Sequence, residues 1–243
     1  MPSNKNRRDR IVLISGAGTG IGEALAQRFA REGYVVAGMG RNIARLNALK
    51  GRIHRDKGIF IPLQCDVRRE SDVRSAVRKI SRLGTMEILV NNAGVTYFKE
   101  LVSTTANEFD HVMDTNVKGM FLLTKAVLPS FLRRRRGLVI NILSFAAKTV
   151  YTGSSIYSAS KSAGSSMMGV LREEVRGKGI KILNVYPGAV ATPMWGARNR
   201  ARLEHRMIHP EEIAECIVGT AALPASMMVE EIALRPQRGD LKI

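Results

Sequence analysis

Cysteine is scarce in this chain. Cys65 and Cys216 are the only two in 243 residues. They lie far apart and lack metal-ligand spacing, which argues for free thiols in a reducing compartment and against a disulfide scaffold or a metal site. Aromatic residues make up only 5%, with a single tryptophan. No apolar stretch approaches the ~18 residues that a membrane span needs. The run Ile11–Ile14 is shorter than the roughly 7–15-residue core of a signal peptide. A cytoplasmic protein is therefore expected. Acidic residues are also few, with 21 Asp and Glu against 38 Lys and Arg, for a net charge of +17.

That charge is concentrated. Residues 1–10, 41–57, 133–136 and 198–206 carry net charges of 3, 5, 4 and 3, which is 15 of the 17. A nucleic-acid binder interleaves such charge with stacking aromatics or carries a recognisable binding motif. Neither occurs here, so the basic stretches read as solvated faces and no nucleic-acid partner is expected.

What is present is an alternation. Short apolar runs at Ile11–Ser15, Tyr34–Met39, Ile59–Cys65, Glu87–Val90, Leu138–Leu143, Ile180–Tyr186 and Val229–Leu234 are separated by helix-length amphipathic stretches. Ile21, Leu25 and Phe29, for example, recur at i, i+4 and i+8. Repeated βαβ units of this kind predict an α/β fold, a doubly wound seven-stranded parallel sheet with helices on both faces. No linker or internal repeat divides the chain. Residues 1–10 read as a basic tail and residues 11–243 as one domain. Long helices are expected over Thr115–Arg136 and Ser154–Arg176, the second with small residues (Ala159, Ser160, Ala163, Gly164) for close packing. The polar, arginine-rich segment at about 193–209 reads as a lid.

The first strand runs into Ser15-Gly16-Ala17-Gly18-Thr19-Gly20-Ile21-Gly22 and then a helix. Glycines at 16, 20 and 22 permit a tight turn and a close approach of a pyrophosphate to the helix N-terminus, where free N–H groups favour anions. With a strand before and a helix after, this is a Rossmann-type dinucleotide site. An NAD site usually ends its second strand on Asp or Glu, which bonds the adenosine ribose. This chain has Gly38-Met39-Gly40-Arg41 instead, with Asn42 and Arg45 close by. Arg41 is suited to a 2′-phosphate, so NADP(H) is expected in preference to NAD(H).

In motif order and spacing the sequence resembles the short-chain dehydrogenase/reductase family over nearly its whole length. The glycine loop matches the family's Thr-Gly-x-x-x-Gly-x-Gly with Ser15 in place of threonine, which keeps a hydroxyl. Cys65-Asp66-Val67, Asn91-Asn92-Ala93-Gly94, Asp114-Thr115-Asn116-Val117, Ser144, Tyr157-Ser158-Ala159-Ser160-Lys161 and Pro187-Gly188 with Val190 and Thr192 match its further motifs in sequence. Leu143 stands where the family often has a serine.

The resemblance implies an oxidoreductase that moves hydride between a nicotinamide and a carbonyl or secondary alcohol. It gives Asn116, Ser144, Tyr157 and Lys161 as the catalytic tetrad. It gives Gly16, Gly18, Thr19, Gly20, Ile21, Gly22, Arg41, Asp66, Val67, Asn92, Ala93, Gly94, Pro187, Gly188, Val190 and Thr192, together with Tyr157 and Lys161, as cofactor contacts. Tyr157 would be the general acid/base and Ser144 would hold the substrate oxygen. Lys161 would bond the nicotinamide ribose, and Asn116 would position a water. Tyr157 and Lys161 are four residues apart and share a helix face. A lysine cation within ~4–6 Å, helped by an oxidised nicotinamide, is expected to lower the phenol by roughly 1–3 units.

The resemblance also places the substrate among Tyr97, Phe98, Phe145, Tyr151, Met194 and Trp195, with Ser144, Tyr151, Tyr157 and Trp195 as contacts. An apolar ketone or aldehyde would suit that lining. Arg198, Arg202 and Arg206 recur every four residues and form one stripe if the lid is helical. Facing inward they would suit an acidic substrate, and facing outward they would be solvated. The family further implies a homotetramer or homodimer built on the helix after Thr115 and the Tyr157 helix. Two rivals are an NAD-dependent alcohol dehydrogenase of the same fold and a cofactor-binding regulatory protein using its basic surface. No metal is expected.

Overall fold

The computed structural model describes residues 10–241. The expected basic tail therefore falls outside the described residues except for Arg10, which opens the first strand. The chain runs β1 (Arg10–Ser15), α1 (Gly20–Arg31), β2 (Val35–Gly40), α2 (Ile43–Arg55), β3 (Ile59–Gln64), α3 (Glu70–Ser81) and β4 (Thr85–Asn91). It continues through α4 (Ala106–Met113), α5 (Gly119–Arg134), β5 (Gly137–Ile142), α6 (Ser155–Val175), β6 (Ile180–Pro187), α7 (Ala197–Leu203), α8 (Pro210–Ala221) and β7 (Glu231–Leu234).

All seven strands are parallel, in the order β3-β2-β1-β4-β5-β6-β7. Alternation along each strand divides the core into two layers. Ile11 and Leu13 of β1 pack with Val73 and Ile80 of α3, Leu123 and Phe131 of α5, and Met168 of α6. Val12 and Ile14 pack on the opposite face with Leu25 and Phe29 of α1, Leu46 and Leu49 of α2, and Ile217 of α8. Strand order reverses between β1 and β4, and the crevice beyond their C-terminal ends is where such sheets bind ligands.

The helix expected over Thr115–Arg136 begins earlier and ends earlier. Thr105 caps α4 in a reciprocal box with Glu108. The helical path then passes through a wider π turn at Asp114–Lys118 into α5. Arg135, in the left-handed region at φ 49°, ends α5, so Arg135 and Arg136 lie beyond it. The periodicity of α5 was readable. The π turn was not, because it shifts the apolar stripe without changing residue types. In α6, Gly164 lets Leu143 and Met120 approach to 3.3–3.4 Å of where a Cβ would stand.

Candidate active site

The ends of β1 and β4 are fastened together by side chains of the two motifs that follow them. Ser15 Oγ donates to the Val90 carbonyl at 3.2 Å and accepts the N–H groups of Asn92 and Ala93 at 2.9 and 3.0 Å. Asn92 Nδ2 donates back to the carbonyls of Ser15 and Gly16. A serine does this as well as a threonine, since only the hydroxyl is used. The loop then bends at Gly16 (φ +66°) and Gly20 (φ +57°), a region that favours glycine. A Cβ at Gly22 would lie 2.3 Å from the Gly16 oxygen, so the start of α1 sits against the loop and aims its free N–H groups into the cleft.

One continuous cleft of about 670 Å³ runs over these strand ends. Gly16, Gly18, Thr19, Gly20 and Ile21 line it at the loop, and Arg41, Asn42, Arg45, Asp66, Val67 and Arg68 line the end beside β2 and β3. Asn92, Ala93, Gly94, Pro187, Gly188, Val190 and Thr192 line its middle. Gly22 and Asn116 do not line it and act from behind. Asn42 Oδ1 caps α2 by accepting the Arg45 N–H at 3.0 Å, which leaves Arg41 and Arg45 exposed at the rim. Asp66 is engaged by Arg68 at 2.6 Å, and this bond holds its carboxyl below the usual range. Arg68 carried no signal in the sequence, because its role depends on the turn after β3. Cys65 is buried beneath, and burial pushes its thiol up to about 12, so it is inert.

This adenosine-side chemistry fits a phosphorylated dinucleotide. Three arginines and no free carboxylate face the rim, and the glycine loop supplies backbone donors. Thr96 and Thr115 also line the cleft with buried hydroxyls that have no partner among the described residues.

At the other end Ser144, Tyr157 and Lys161 converge. Ser144 follows β5, and its Oγ accepts the Ala146 N–H at 3.1 Å. Tyr157 and Lys161 project from the first turns of α6, both buried. Tyr157 hydrogen-bonds Ser144, which pulls its phenol down, but burial dominates and raises it. The lowering expected from Lys161 is therefore not achieved by the protein groups alone. Lys161 Nζ donates to the Ile142 carbonyl at 2.8 Å and lies 5.7 Å from the Tyr157 ring centroid. Burial holds it at about 8, so it keeps its ammonium at pH 7 and loses it over the unit or two above. Asn116, in the π turn, donates to the Val95 carbonyl and Ser160 Oγ, both at 2.9 Å, and accepts the Val95 N–H at 2.8 Å.

Phe98, Phe145, Tyr151, Met194 and Trp195 line the same cleft, whose end at Ser144 and Tyr157 they surround. Phe98 stacks on Trp195 at 5.6 Å and meets Tyr157 edge-on at 5.9 Å. Tyr97 does not line it. Its hydroxyl bonds His111 Nδ1 at 2.8 Å on the outside of α4, because successive residues of an extended segment face opposite ways. The expected stripe of three does not form, because α7 ends at Leu203 and Arg206 falls in the following 3-10 turn; Arg198 and Arg202 are exposed, Arg206 is half-buried, and none of the three lines the cleft. The sequence reading missed Asp240 and Leu241, which return from the C-terminal segment to line the cleft. No local pattern marks them. Among the described residues, no group of three His, Cys, Asp or Glu side chains is placed to hold a metal.

The family model described as short chain dehydrogenase matches residues 10–203. The chain is 36% identical over 240 residues to a sepiapterin reductase of Chlorobaculum tepidum, covering 96% of this chain and 98% of that one. In fold it is similar to an alcohol dehydrogenase of the archaeon Thermococcus sibiricus complexed with 5-hydroxy-NADP (TM-score 0.89, 28% identity, 96% and 99% of the two chains). It is also similar to the closed form of a serine dehydrogenase complexed with NADP+ (TM-score 0.86, 28% identity, 92% and 94%).

Proposed function

Because this chain belongs to the short-chain dehydrogenase family of oxidoreductases, we propose that it binds NADP(H) and interconverts a small-molecule carbonyl and its secondary alcohol, with Tyr157 as general acid/base. The observation that carries this reading is the convergence of Ser144, Tyr157 and Lys161 at one end of a cleft whose other end is rimmed by Arg41, Arg45 and Arg68. Two solved neighbours complexed with 5-hydroxy-NADP and NADP+ support the cofactor, and relatives named as a reductase and as dehydrogenases support a carbonyl or alcohol substrate.

Residues of the glycine loop would hold the pyrophosphate, the rim arginines the 2′-phosphate, and Gly94, Pro187, Gly188, Val190 and Thr192 the nicotinamide end. When bound, a nicotinamide would supply or accept the hydride, and its oxidised form would bring positive charge into the cleft. Ser144 accepts the Ala146 N–H and gives its own proton to the Tyr157 oxygen, a bond that a substrate oxygen would take over. Tyr157, bonded to Ser144, gives that oxygen a proton in reduction and withdraws it in oxidation. Burial keeps the phenol protonated until a further cation arrives, so the proton is retained for the reaction. Asn116 would act as a positioning residue as well as the water-holder that the family implies, because it ties Val95 to Ser160, the residue before Lys161.

The segment 193–209 is read as a lid. Ala191 N–H donates to Ile208 and Ile208 N–H to Ala189, so the base of the excursion is closed while Gly196 (φ +70°) lies within it. Exposed Phe121 on α5 and Val170 on α6 support assembly through that face.

The test is a fluorescence titration, using the single Trp195, of wild type and Tyr157→Phe with NADPH and NADH. Wild type should bind NADPH more tightly. Tyr157→Phe should bind it equally while losing turnover of ketones by roughly 10²–10⁴-fold. Undiminished turnover would refute the role given to Tyr157.

A further inference from the structure

One carboxylate in the substrate end has no part in the chemistry above. Asp240 lies beyond β7, on the segment that closes back over the cleft, and lines it beside Leu241. Arg235 holds it from behind, with Nε 3.3 Å from one oxygen and Nη2 2.7 Å from the other. The same guanidinium lies 4.5 Å from the centroid of the Phe145 ring, so the carboxylate is anchored to the loop after β5. Arg235 itself does not line the cleft. The acceptor is thus in front and the cation behind.

Tyr151 completes the arrangement. Its hydroxyl hydrogen-bonds Asp240, and burial together with that bond pushes it up to about 12. It therefore stays protonated with its proton committed to the carboxylate, and its oxygen faces the cleft only as an acceptor. Ser154, a further lining residue, likewise commits its proton, donating from Oγ to the Tyr151 carbonyl at 2.7 Å. A carboxylate offers about four acceptor positions, of which Arg235 and Tyr151 take three. This wall presents acceptors, and one carboxylate position is free.

We infer that Asp240, backed by Arg235 and paired with Tyr151, is a specificity-determining residue that selects substrates bearing hydrogen-bond donors, whether hydroxyl, amide N–H or a cationic amidinium, and rejects carboxylates. This rests on the reading of the cleft as the substrate site of an oxidoreductase, and it replaces the apolar ketone or aldehyde that the aromatic lining alone suggests. A donor meets a charged acceptor that Arg235 and Tyr151 already hold in place, whereas an anion meets like charge on the side that faces the cleft.

The experiment is a binding measurement independent of turnover. Benzamidine and benzoate, equal in size and opposite in charge, are titrated into the full chain and into Asp240→Asn, with Trp195 emission as the readout. Wild type should bind benzamidine roughly tenfold or more tightly than benzoate. Asp240→Asn should bring the ratio close to one. Equal binding of the two by wild type, binding of neither, a preference for benzoate, or a preference retained in Asp240→Asn would each overturn the inference. The NADPH titration above fails or succeeds separately. A benzamidine preference without NADPH binding would leave Asp240 as the selector of donors in this cleft and remove the NADP(H) reading alone.

Discussion

At the rim of the cleft, Asp66 is occupied by Arg68, and the Arg41 guanidinium is left to whatever binds beside it. A 2′-phosphate there gains a charge-assisted bond of about 1.5–3 kcal/mol. Arg41→Ala is accordingly expected to weaken NADPH roughly 10–100-fold and to leave NADH nearly unchanged, and equal losses would remove the assignment. Lys161 is the second residue whose charge state matters. Its folded value of about 8 lies below its ordinary 10.5, because burial disfavours the ammonium. Between those values the unfolded chain binds more protons than the folded one, so stability rises with pH across that window, by about 1.4 kcal/mol per unit at most. Below about pH 8 the whole cost is present. Denaturant unfolding of wild type and Lys161→Met from pH 7 to 10.5 should show the difference moving in favour of wild type as pH rises. A difference that does not change with pH would mean that Lys161 is not held down by burial.

On the scale of elements, the turn from β1 into α1 depends on backbone contact without side chains between. A Cβ on residue 22 would meet the Gly16 carbonyl oxygen and Asn92 Nδ2 at 2.3 and 2.4 Å, and both are fixed by the bonds that fasten β1 to β4. Gly22→Ala must push the helix start away from the loop. We expect a loss of nucleotide affinity of tenfold or more and a fall in the thermal midpoint, both visible in one melting series with and without NADPH. Unchanged affinity would show that the loop tolerates a wider turn. The π turn between α4 and α5 works in the opposite sense. It inserts extra backbone, turning Asn116 toward Val95 and Ser160. The sequence gives the asparagine, but its direction follows from a helical irregularity that no residue type announces.

Across the whole molecule, a line of buried amides crosses the centre of the sheet. Asn91 Nδ2 donates to Thr124 Oγ1 at 3.0 Å and to Asn141 Oδ1 at 2.9 Å, and Asn141 Nδ2 donates to Asn184 Oδ1 at 2.9 Å. The three asparagines are in register on β4, β5 and β6, and none exceeds 3% exposure. They fix the alignment of the strands whose ends carry Asn92, Ser144 and Pro187. Asn141→Leu would strand a donor on Asn91 and an acceptor on Asn184 in the interior. At roughly 1–3 kcal/mol for each unsatisfied group, a loss of about 2–6 kcal/mol is expected in urea unfolding. A loss below about 1 kcal/mol would show that the amides are re-satisfied locally.

The seven strands, the two-sided helical cover and the glycine loop were readable from residue order, whereas Ser144, Tyr157 and Lys161 came from the resemblance to the family's motifs. Periodicities of two and 3.6 and short-range turn chemistry are local properties, and local properties are written in consecutive residues. What only the tertiary structure decided were contacts between segments distant in sequence. Arg68 reaches the rim through the turn after β3, and Tyr97 faces away. Arg198 and Arg202 of α7 are exposed away from the cleft, burial rather than Lys161 sets the Tyr157 phenol, and Asp240 meets Tyr151 from a segment distant in sequence. Each of these depends on where a side chain lies relative to water and to residues brought near by the fold. Desolvation and proximity belong to the folded molecule and have no counterpart in the linear sequence.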